Sequence, residues 1–430
     1  MRTNPFMFGI ALLWFQAGAA GAQEITLGEA IQQAIGASGQ VAVQELSAQE
    51  ALLDAENART GRYPQFALSA SAGYVSKVME LRQPGRTIRF GSNDSYDMTV
   101  SMNQSIYDAG RLSALRLAGD ARARMSRLNA DASRLQVEFS AKAAFFRVIL
   151  AQRLLASAEE SRRQAQLHMT DIQTRLTQGM ALANDVTRAR LRVSTADMDI
   201  ASERAELDRS RAAFRSITGM QPGEPVNLFW DGAYEPELSD TTLVQIRKSR
   251  PEFAAFDAAE EASRHAEEAA RAGLYPSVGF TAGLHYGRPE IDLPRNEWMS
   301  YANAGIKLNW NVWDWGSTRR EIQKSRISAE KVRENRDDFT RAVAQSLGEA
   351  MATWHEMQER LRLARDSAEY ARQNLSVITA SSREGMATET DYDNAYTAYT
   401  VAQIDISAAE VSVWISAAQV EYVLGNASGE

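Results

Sequence analysis

One pattern occurs twice in this chain, at a separation much larger than that of ordinary structural repeats. Three features recur at a spacing of 206 positions: an aromatic-Asp-x-Gly sequence, a Gly-Met-Ala triplet and a single glycine. They lie at 107–110 and 313–316, at 179–181 and 385–387, and at 219 and 425. Solenoid repeats have periods of about 20–50 residues, so this spacing predicts a duplicated, domain-sized unit with internal pseudosymmetry.

The two copies differ in length near their beginnings. Residues 58–64 match residues 270–276 at an offset of 212, and both segments end in Tyr-Pro. The first copy therefore carries six extra residues (212 − 206) between Pro64 and Tyr107.

The first 22 residues have the features of a secretory signal. Arg2 precedes an apolar stretch from Phe6 to Phe15, and Ala20-Gly21-Ala22 forms a small-residue cleavage site. This arrangement predicts export and removal of the segment.

Composition excludes several classes of function. Without Arg2 the chain has 46 basic and 55 acidic residues, a net charge of −9, which disfavours nucleic acid as a partner. The absence of cysteine excludes disulfides, thiolate metal sites and a lipid anchor at a cysteine after the signal. Four histidines share no metal-ligand spacing, at 168, 265, 285 and 355. We therefore expect no catalytic centre, metal or cofactor.

Two long segments without proline predict unbroken helices. Residues 85–221 and 295–430 contain no proline, and within each of them two glycines bracket 68 residues, at 110 and 179 and at 316 and 385. A helix of that length measures roughly 100 Å. Apolar residues follow a spacing of three and four along residues 135–154, as in helices packed as a coiled coil.

A shorter return helix follows each long helix. We predict these helices at 185–218 and 391–424, with Asn184 and Thr390 as N-caps, so that each repeat is a helical hairpin with its tip at Gly179 or Gly385. Further helices are predicted at 40–61 and 252–272.

Before each long helix the periodicity changes from that of a helix to that of a strand. Apolar residues alternate with small or polar ones along 66–74, 98–102, 278–286 and 304–312. Runs of about ten residues match the strands of outer-membrane proteins, whereas the alternative is a soluble hairpin with one buried face. The export signal, the aromatic residues at the strand ends and the number of strands favour strands in a membrane over a soluble hairpin. Four strands cannot close a barrel and lipid forbids open sheet edges, so several copies must associate.

Taken together and in this order, these features resemble the TolC-like outer-membrane factor family, also called outer membrane efflux proteins. The resemblance covers essentially the whole mature chain. It rests on the Tyr-Pro entries to the strands, the aromatic-Asp-x-Gly exits into long helices, the Gly-x5-Asp tips and the glycines that end the repeats.

The resemblance implies an α+β fold, mainly α, in which a homotrimer forms one twelve-stranded outer-membrane β-barrel. Each chain contributes four strands, and a long α-helical barrel continues into the periplasm. The implied function is a passive exit duct, without an active site, of a tripartite efflux pump or type I secretion system. The implied partners are outer-membrane lipid, a periplasmic adaptor (membrane fusion protein) and an inner-membrane RND or ABC transporter. An exported coiled-coil or adhesin stalk is the alternative, and it leaves the amphipathic strands unexplained.

The resemblance also implies a periplasmic gate near the second tip. Asp391 matches the first of two family aspartates that line the tunnel entrance, the second falls on Asn394, and Asp393 lies one residue earlier. Three copies of Asp391 imply an acidic ring. The alternative for these aspartates is a simple charge at the start of a helix.

A further family aspartate, which helps to latch the closed state, matches Asp185. Its usual arginine and tyrosine partners fall on Ala387 and Ser382, so the family's latch lacks its partners in this chain. The docking surface for the adaptor is implied at the two tips, Gln178-Gly179-Met180 and Glu384-Gly385-Met386.

The predicted organisation is a signal peptide at 1–22, a first repeat at 23–219, a linker at 220–240, a second repeat at 241–425 and a tail at 426–430. Each repeat contains a helix, a β-hairpin (about 65–108 and 277–314) and a long helical hairpin (about 111–219 and 317–424).

Overall fold

The computed structural model describes residues 24–90, 92–230, 232–236, 242–288, 291 and 297–426. The predicted signal peptide and residues 427–430 of the predicted tail lie outside these ranges. The chain divides into two compact units. The first consists of Met1–Ser38, Val137–Pro236 and Met351–Val420, and the second of Gly39–Gln136, Glu237–Ala350 and Glu421–Glu430.

Helices make up most of the described chain, as the sequence predicts. They are α1 (Leu27–Ala37), α2 (Gly39–Thr60), α3 (Arg111–Thr177), α4 (Ala183–Thr218), α5 (Leu243–Ser249), α6 (Pro251–Ala272), α7 (Ser317–Arg383) and α8 (Glu389–Leu424). The long helices α3 and α7 have 67 residues each. Among the described helices, none combines the length and the apolar character needed to cross a membrane.

The predicted N-caps of the return helices are wrong. Helix α4 begins at Ala183 and α8 at Glu389, so that Asn184 and Thr390 lie inside the first turns. The cap of α8 is Thr388, because its hydroxyl accepts a hydrogen bond from the Asp391 backbone N–H at 3.2 Å. Which of several neighbouring residues becomes the N-cap depends on the backbone geometry at the start of the helix. The sequence pattern does not show that geometry.

Four antiparallel strands form one sheet. The described strands are β1 (Gln65–Tyr74), β2 (Met79–Gln83), β3 (Arg86–Phe90), β4 (Asp94–Tyr107), β5 (Ser277–Arg288) and β6 (Met299–Asn309). The sheet order is β1-β4-β5-β6, so that pairing of β4 with β5 joins the two repeats. Strand β6 ends before Trp310, and the alternation predicted as far as Val312 is therefore three residues too long.

A separate two-stranded hairpin, formed by β2 and β3, was not predicted. It lies between β1 and β4, in the segment where the first copy carries its six extra residues. Gly85, in the turn, has a φ of 84°, which glycine adopts without strain.

The four-stranded sheet has one apolar and one polar face, as predicted. One row across the sheet pairs Phe66 with Met102, Met102 with Ala282, and Ala282 with Ala304. The next row pairs Ala67, Ser101, Gly283 and Asn303 in the same order. On the apolar face Phe66 is 71% exposed and Ile306 is 74% exposed. A sheet face of this kind must be covered by something other than the described part of the chain.

The aromatic-Asp-x-Gly sequences are helix-starting turns. The Asp108 carboxylate accepts hydrogen bonds from the N–H groups of Gly110 (3.0 Å) and Leu112 (2.8 Å). Ala109 and Gly110 both have positive φ, at 54° and 84°, so the chain reverses sharply before α3. Asp314 makes the equivalent bonds before α7. The motif therefore recurs because each long helix needs the same cap after a strand.

The core of the first unit contains a cluster of aromatic rings. Phe146 lies 5.5 Å from Trp230 and 5.4 Å from Trp414, measured between ring centroids. Trp230 belongs to the predicted linker, so the described part of this segment packs against α3 and α8. The Ile25 N–H also donates to the Asn227 carbonyl at 2.9 Å, which ties the start of the described chain to the same segment.

Candidate functional site

Both hairpin tips lie in the first unit and have the same geometry. Gly179 and Gly385 each have a φ of 74°. The N–H of Met180 donates to the Arg175 carbonyl at 2.8 Å, and that of Met386 donates to the Ser381 carbonyl at 2.9 Å. Glycine thus ends each long helix in the left-handed conformation. The residues after the glycines are exposed, Met180 by 67% and Met386 by 72%. Gln178 and Glu384, the residues before them, are exposed as well.

Asp391 and Asp185 both hold the start of a return helix. The Asp391 carboxylate accepts hydrogen bonds from the Thr388 hydroxyl (2.6 Å) and N–H (2.9 Å), and these bonds lower its pKa. The Asp185 carboxylate accepts from the Leu182 N–H at 2.9 Å. A local structural role, the alternative considered from the sequence, therefore exists for both aspartates.

Asp393 has a different environment from its neighbours. Asp391 and Asn394 are exposed, whereas Asp393 is half-buried and forms an ion pair with Arg192 of α4. Burial raises the pKa of the Asp393 carboxyl, while the charge of Arg192 opposes this rise. The structure therefore separates the three predicted gate residues of α8 into two exposed polar groups and one half-buried partner of an arginine.

The Arg192 guanidinium lies over two tyrosine rings of α8. The centre of its guanidinium is 5.3 Å from the Tyr392 ring centroid and 4.9 Å from that of Tyr396. A second arginine of α4, Arg188, donates to the Thr390 hydroxyl at 2.5 Å. These contacts link the return helix of the first repeat to that of the second.

His168 links α3 to the same end of α8. Its Nε2 lies 2.6 Å from the Glu389 carboxylate, and its ring stacks on Tyr392 at a centroid distance of 4.1 Å. The His168 and Glu389 side chains are largely shielded from solvent, with exposed fractions of 11% and 8%. The Tyr396 hydroxyl donates to the Ser161 carbonyl of α3 at 3.1 Å.

We call the group formed by His168, Arg188, Arg192, Glu389 and Asp393, with Tyr392 and Tyr396, the tip cluster. The terminal nitrogen Nη1 of Arg192 is buried and has no hydrogen-bond partner among the described residues. An unpaired buried donor costs about 1–3 kcal/mol. The tip cluster therefore connects α8 to the first helical hairpin while leaving one strong donor unused.

Sequence reasoning missed the arginines and His168 of this cluster. His168 and Glu389 are 221 positions apart, so no local spacing connects them. A signal was nevertheless present, because α4 is basic just after its first turn, whereas the start of α8 is acidic. Arg188, Arg190 and Arg192 of the first copy contrast with Asp391 and Asp393 of the second. This complementarity indicates a contact between the copies.

Comparison with known proteins decides the family. The family model described as outer membrane efflux protein matches residues 30–220 and 242–426. The chain belongs to the outer membrane efflux protein family. The two matches confirm the duplication, and the family consists of TolC-like outer membrane channels of Gram-negative bacteria, which are trimeric and are not enzymes. No curated protein matches the sequence.

Solved structures of outer membrane efflux channels have the same fold. CusC is similar with a TM-score of 0.79 and 16% identity, over 93% of this chain and 92% of CusC. VceC of Vibrio cholerae is similar with a TM-score of 0.76 and 16% identity, over 93% of this chain and 96% of VceC. The open state of MtrE of Neisseria gonorrhoeae is similar with a TM-score of 0.77 and 15% identity, over 93% of this chain and 88% of MtrE. Membership of this family identifies a TolC-like outer membrane efflux channel and argues against a coiled-coil stalk.

Proposed function

We propose that this chain is the passive exit duct of a tripartite export system. The observation that carries the proposal is the sheet, whose apolar face is left uncovered by the described chain while its opposite face is small and polar. Three copies supply twelve strands, enough to close a barrel with the apolar face toward lipid and without free edges.

The helical hairpins supply the second half of the proposal. Each tip presents an exposed methionine on a glycine turn, at 180 and 386. Methionine is an adaptable apolar contact residue, and two similar tips per chain give six per trimer. We propose that these tips bind a periplasmic adaptor, which connects the duct to an RND or ABC transporter that supplies the energy.

We further propose that the tip cluster is the latch of the gate. Its contacts join α8 to α3 and α4, and they take the place of the family partners that are missing at Ala387 and Ser382. Asp391 and Asn394, exposed on α8, are proposed to line the entrance of the trimer as a ring of three carboxylates and three amides.

Fractionation and electrophysiology test the duct. We expect the mature protein in the outer membrane as a trimer, and purified trimers should give stepwise cation-selective conductance in planar bilayers. Replacement of Asp391 by Asn should lower that selectivity, because the charge of the ring is removed. Recovery of the protein from the periplasm without detergent, or trimers that never conduct, would reject the proposal.

A further inference from the structure

The hairpin of β2 and β3 has two faces of opposite chemistry. Across its ladder Met79 and Leu81 pair with Phe90 and Ile88, whereas Glu80 and Arg82 pair with Arg89 and Thr87. Successive strand residues alternate between faces, so Met79 and Leu81 share one face of β2, whereas Glu80 and Arg82 share the other. Met79 is 76% exposed and Leu81 is 45% exposed. A two-stranded hairpin with an open apolar face is at most marginally stable in water.

The hairpin is basic although the chain is acidic. Residues 77–90 contain four basic residues and one acidic residue, a net charge of +3 (4 − 1), against −8 for the whole chain. The basic residues, Lys77, Arg82, Arg86 and Arg89, are all exposed. The single acidic residue, Glu80, accepts a hydrogen bond from Arg89 at 2.9 Å.

The fold places this hairpin at the end of the sheet away from the helices. Helix α2 leads into β1 at one end, and β4 leads into α3 at the same end. The hairpin joins the other end through a neck in which Val75 and Asn93 exchange two hydrogen bonds of 2.7 Å each. With the helices in the periplasm, as the proposed function requires, the hairpin lies at the outer surface of the membrane.

Aromatic residues next to the neck mark a membrane interface. The Trp298 ring stacks on Tyr286 and Tyr96, at centroid distances of 5.1 and 5.8 Å. The Arg288 guanidinium lies over Trp298 and pairs with Asp94. Tyrosine and tryptophan concentrate where hydrocarbon meets headgroups, so the hairpin begins at the depth of the outer-leaflet headgroups.

From these observations we infer that the β2–β3 hairpin is a binding site for the phosphorylated, acylated glycolipid of the outer leaflet. The exposed arginines contact its phosphates, and the apolar face contacts its acyl chains. Arginine forms paired hydrogen bonds to phosphate, and a basic surface with an apolar side is typical of segments that lie in a membrane interface. A second copy of the hairpin is a less suitable partner for the exposed apolar face, because the positive charges of the two hairpins repel each other. The inference rests on the proposed function for its orientation.

The absence of cysteine permits a direct test. A Gln83→Cys variant carries an environment-sensitive fluorophore at the hairpin turn, and its trimers are inserted into phosphatidylcholine vesicles with increasing amounts of bisphosphorylated lipid A. We expect a blue-shifted emission that saturates with lipid A. Replacing Arg82, Arg86 and Arg89 by glutamine should weaken the apparent affinity at least about tenfold. Arg86→Gln alone, at the turn, should weaken it by roughly threefold, which keeps the test valid if the triple variant does not assemble.

A matched control removes the same number of charges from α7, with Arg319, Lys324 and Lys331 replaced by glutamine, and should leave the response unchanged. An equal response to dephosphorylated lipid A, to phosphatidylglycerol or to inorganic phosphate would overturn the inference. A fluorophore that is already shielded in lipid A-free trimers would also overturn it, in favour of a neighbouring copy. Conductance of the same vesicles separates the two proposals: normal conductance without a lipid A response rejects only the lipid site, whereas absence of conductance rejects the duct.

Discussion

At the scale of single residues, two aspartates of α8 that are two positions apart have different roles. Asp391 is exposed and caps the helix with Thr388, whereas Asp393 is half-buried against Arg192. Successive residues of a helix lie about 100° apart around its axis, so this separation places the two carboxylates on different sides. Of these two aspartates, only Asp393 contacts another helix, and it is the one on which we expect the latch to depend.

Replacing Asp393 by Asn should increase the open probability of the trimer several-fold in planar bilayers. The substitution retains the shape of the side chain but removes the negative charge that pairs with Arg192. A matched control is Asp197→Asn, since Asp197 pairs with Arg162 inside the first helical hairpin at 2.5 Å and does not involve α8. If both variants conduct like the unmodified protein, the latch lies elsewhere.

The cap of α8 should depend on pH. Hydrogen bonds from Thr388 lower the pKa of Asp391, so the folded state favours the ionised carboxylate. Its contribution to stability is therefore fully present above the unfolded-state pKa and is lost as the pH falls through the lowered folded-state pKa. Thr388→Ala should increase amide exchange in the first turn of α8 roughly fivefold at neutral pH, as expected for a lost N-cap.

Thr397→Ala serves as the control for that measurement, because the Thr397 hydroxyl donates back to the Asp393 carbonyl within the same helix and does not cap it. Equal exchange in the two variants would show that Thr388 does not stabilise the helix start.

At the scale of elements, the glycines that end the repeats permit close packing as well as a turn. Gly219 has a φ of 73°, and a Cβ placed there would lie 2.5 Å from the Ala37 Cβ. The second copy has Gly425 against Arg250, whose side chain donates to the Val423 carbonyl at 3.2 Å. The glycine that ends each repeat thus packs against a small residue in one copy and against a buried arginine in the other.

Gly219→Ala should lower the unfolding temperature more than Gly179→Ala. Both glycines have similar positive φ values, which cost alanine about 1–2 kcal/mol. The Cβ at residue 179 would meet nothing within 4 Å, whereas that at 219 would collide with Ala37. Thermal unfolding followed by circular dichroism isolates the packing contribution as the difference between the two variants. Equal decreases in unfolding temperature would show that α1 moves away from residue 219 without loss of stability.

At the scale of the whole molecule, the proposed insertion into the outer membrane depends on the apolar face of the sheet. Leu68 on that face is 68% exposed in the described chain, and its neighbour Ser69 lies on the polar face. An arginine on the lipid side of a membrane strand costs about 2–4 kcal/mol near the middle of the bilayer. An arginine on the opposite side remains in water.

Leu68→Arg should therefore reduce the amount of trimer in the outer membrane, while Ser69→Arg should assemble normally. Heat-modifiable mobility of the trimer in membrane fractions measures both. Assembly of the two variants to the same extent would mean that the apolar face is not covered by lipid.

Local patterns in the sequence predict most of the fold. The long helices, the alternating strands and the aromatic-Asp-x-Gly turns are each specified by neighbours within a few residues, and the duplication repeats every signal. The β2–β3 hairpin also had a local signal, in the Pro84-Gly85 turn between two short alternating runs. It was missed because five-residue strands carry little periodicity.

The sequence by itself determined the duplication, the types of element and their order, because these depend on interactions between residues close in the chain. Only the tertiary structure decided which polar residues meet. His168 contacts Glu389 and Arg192 contacts Asp393 because α8 of the second repeat packs against the hairpin of the first. Such pairs join distant parts of the chain, and no spacing within either part specifies them.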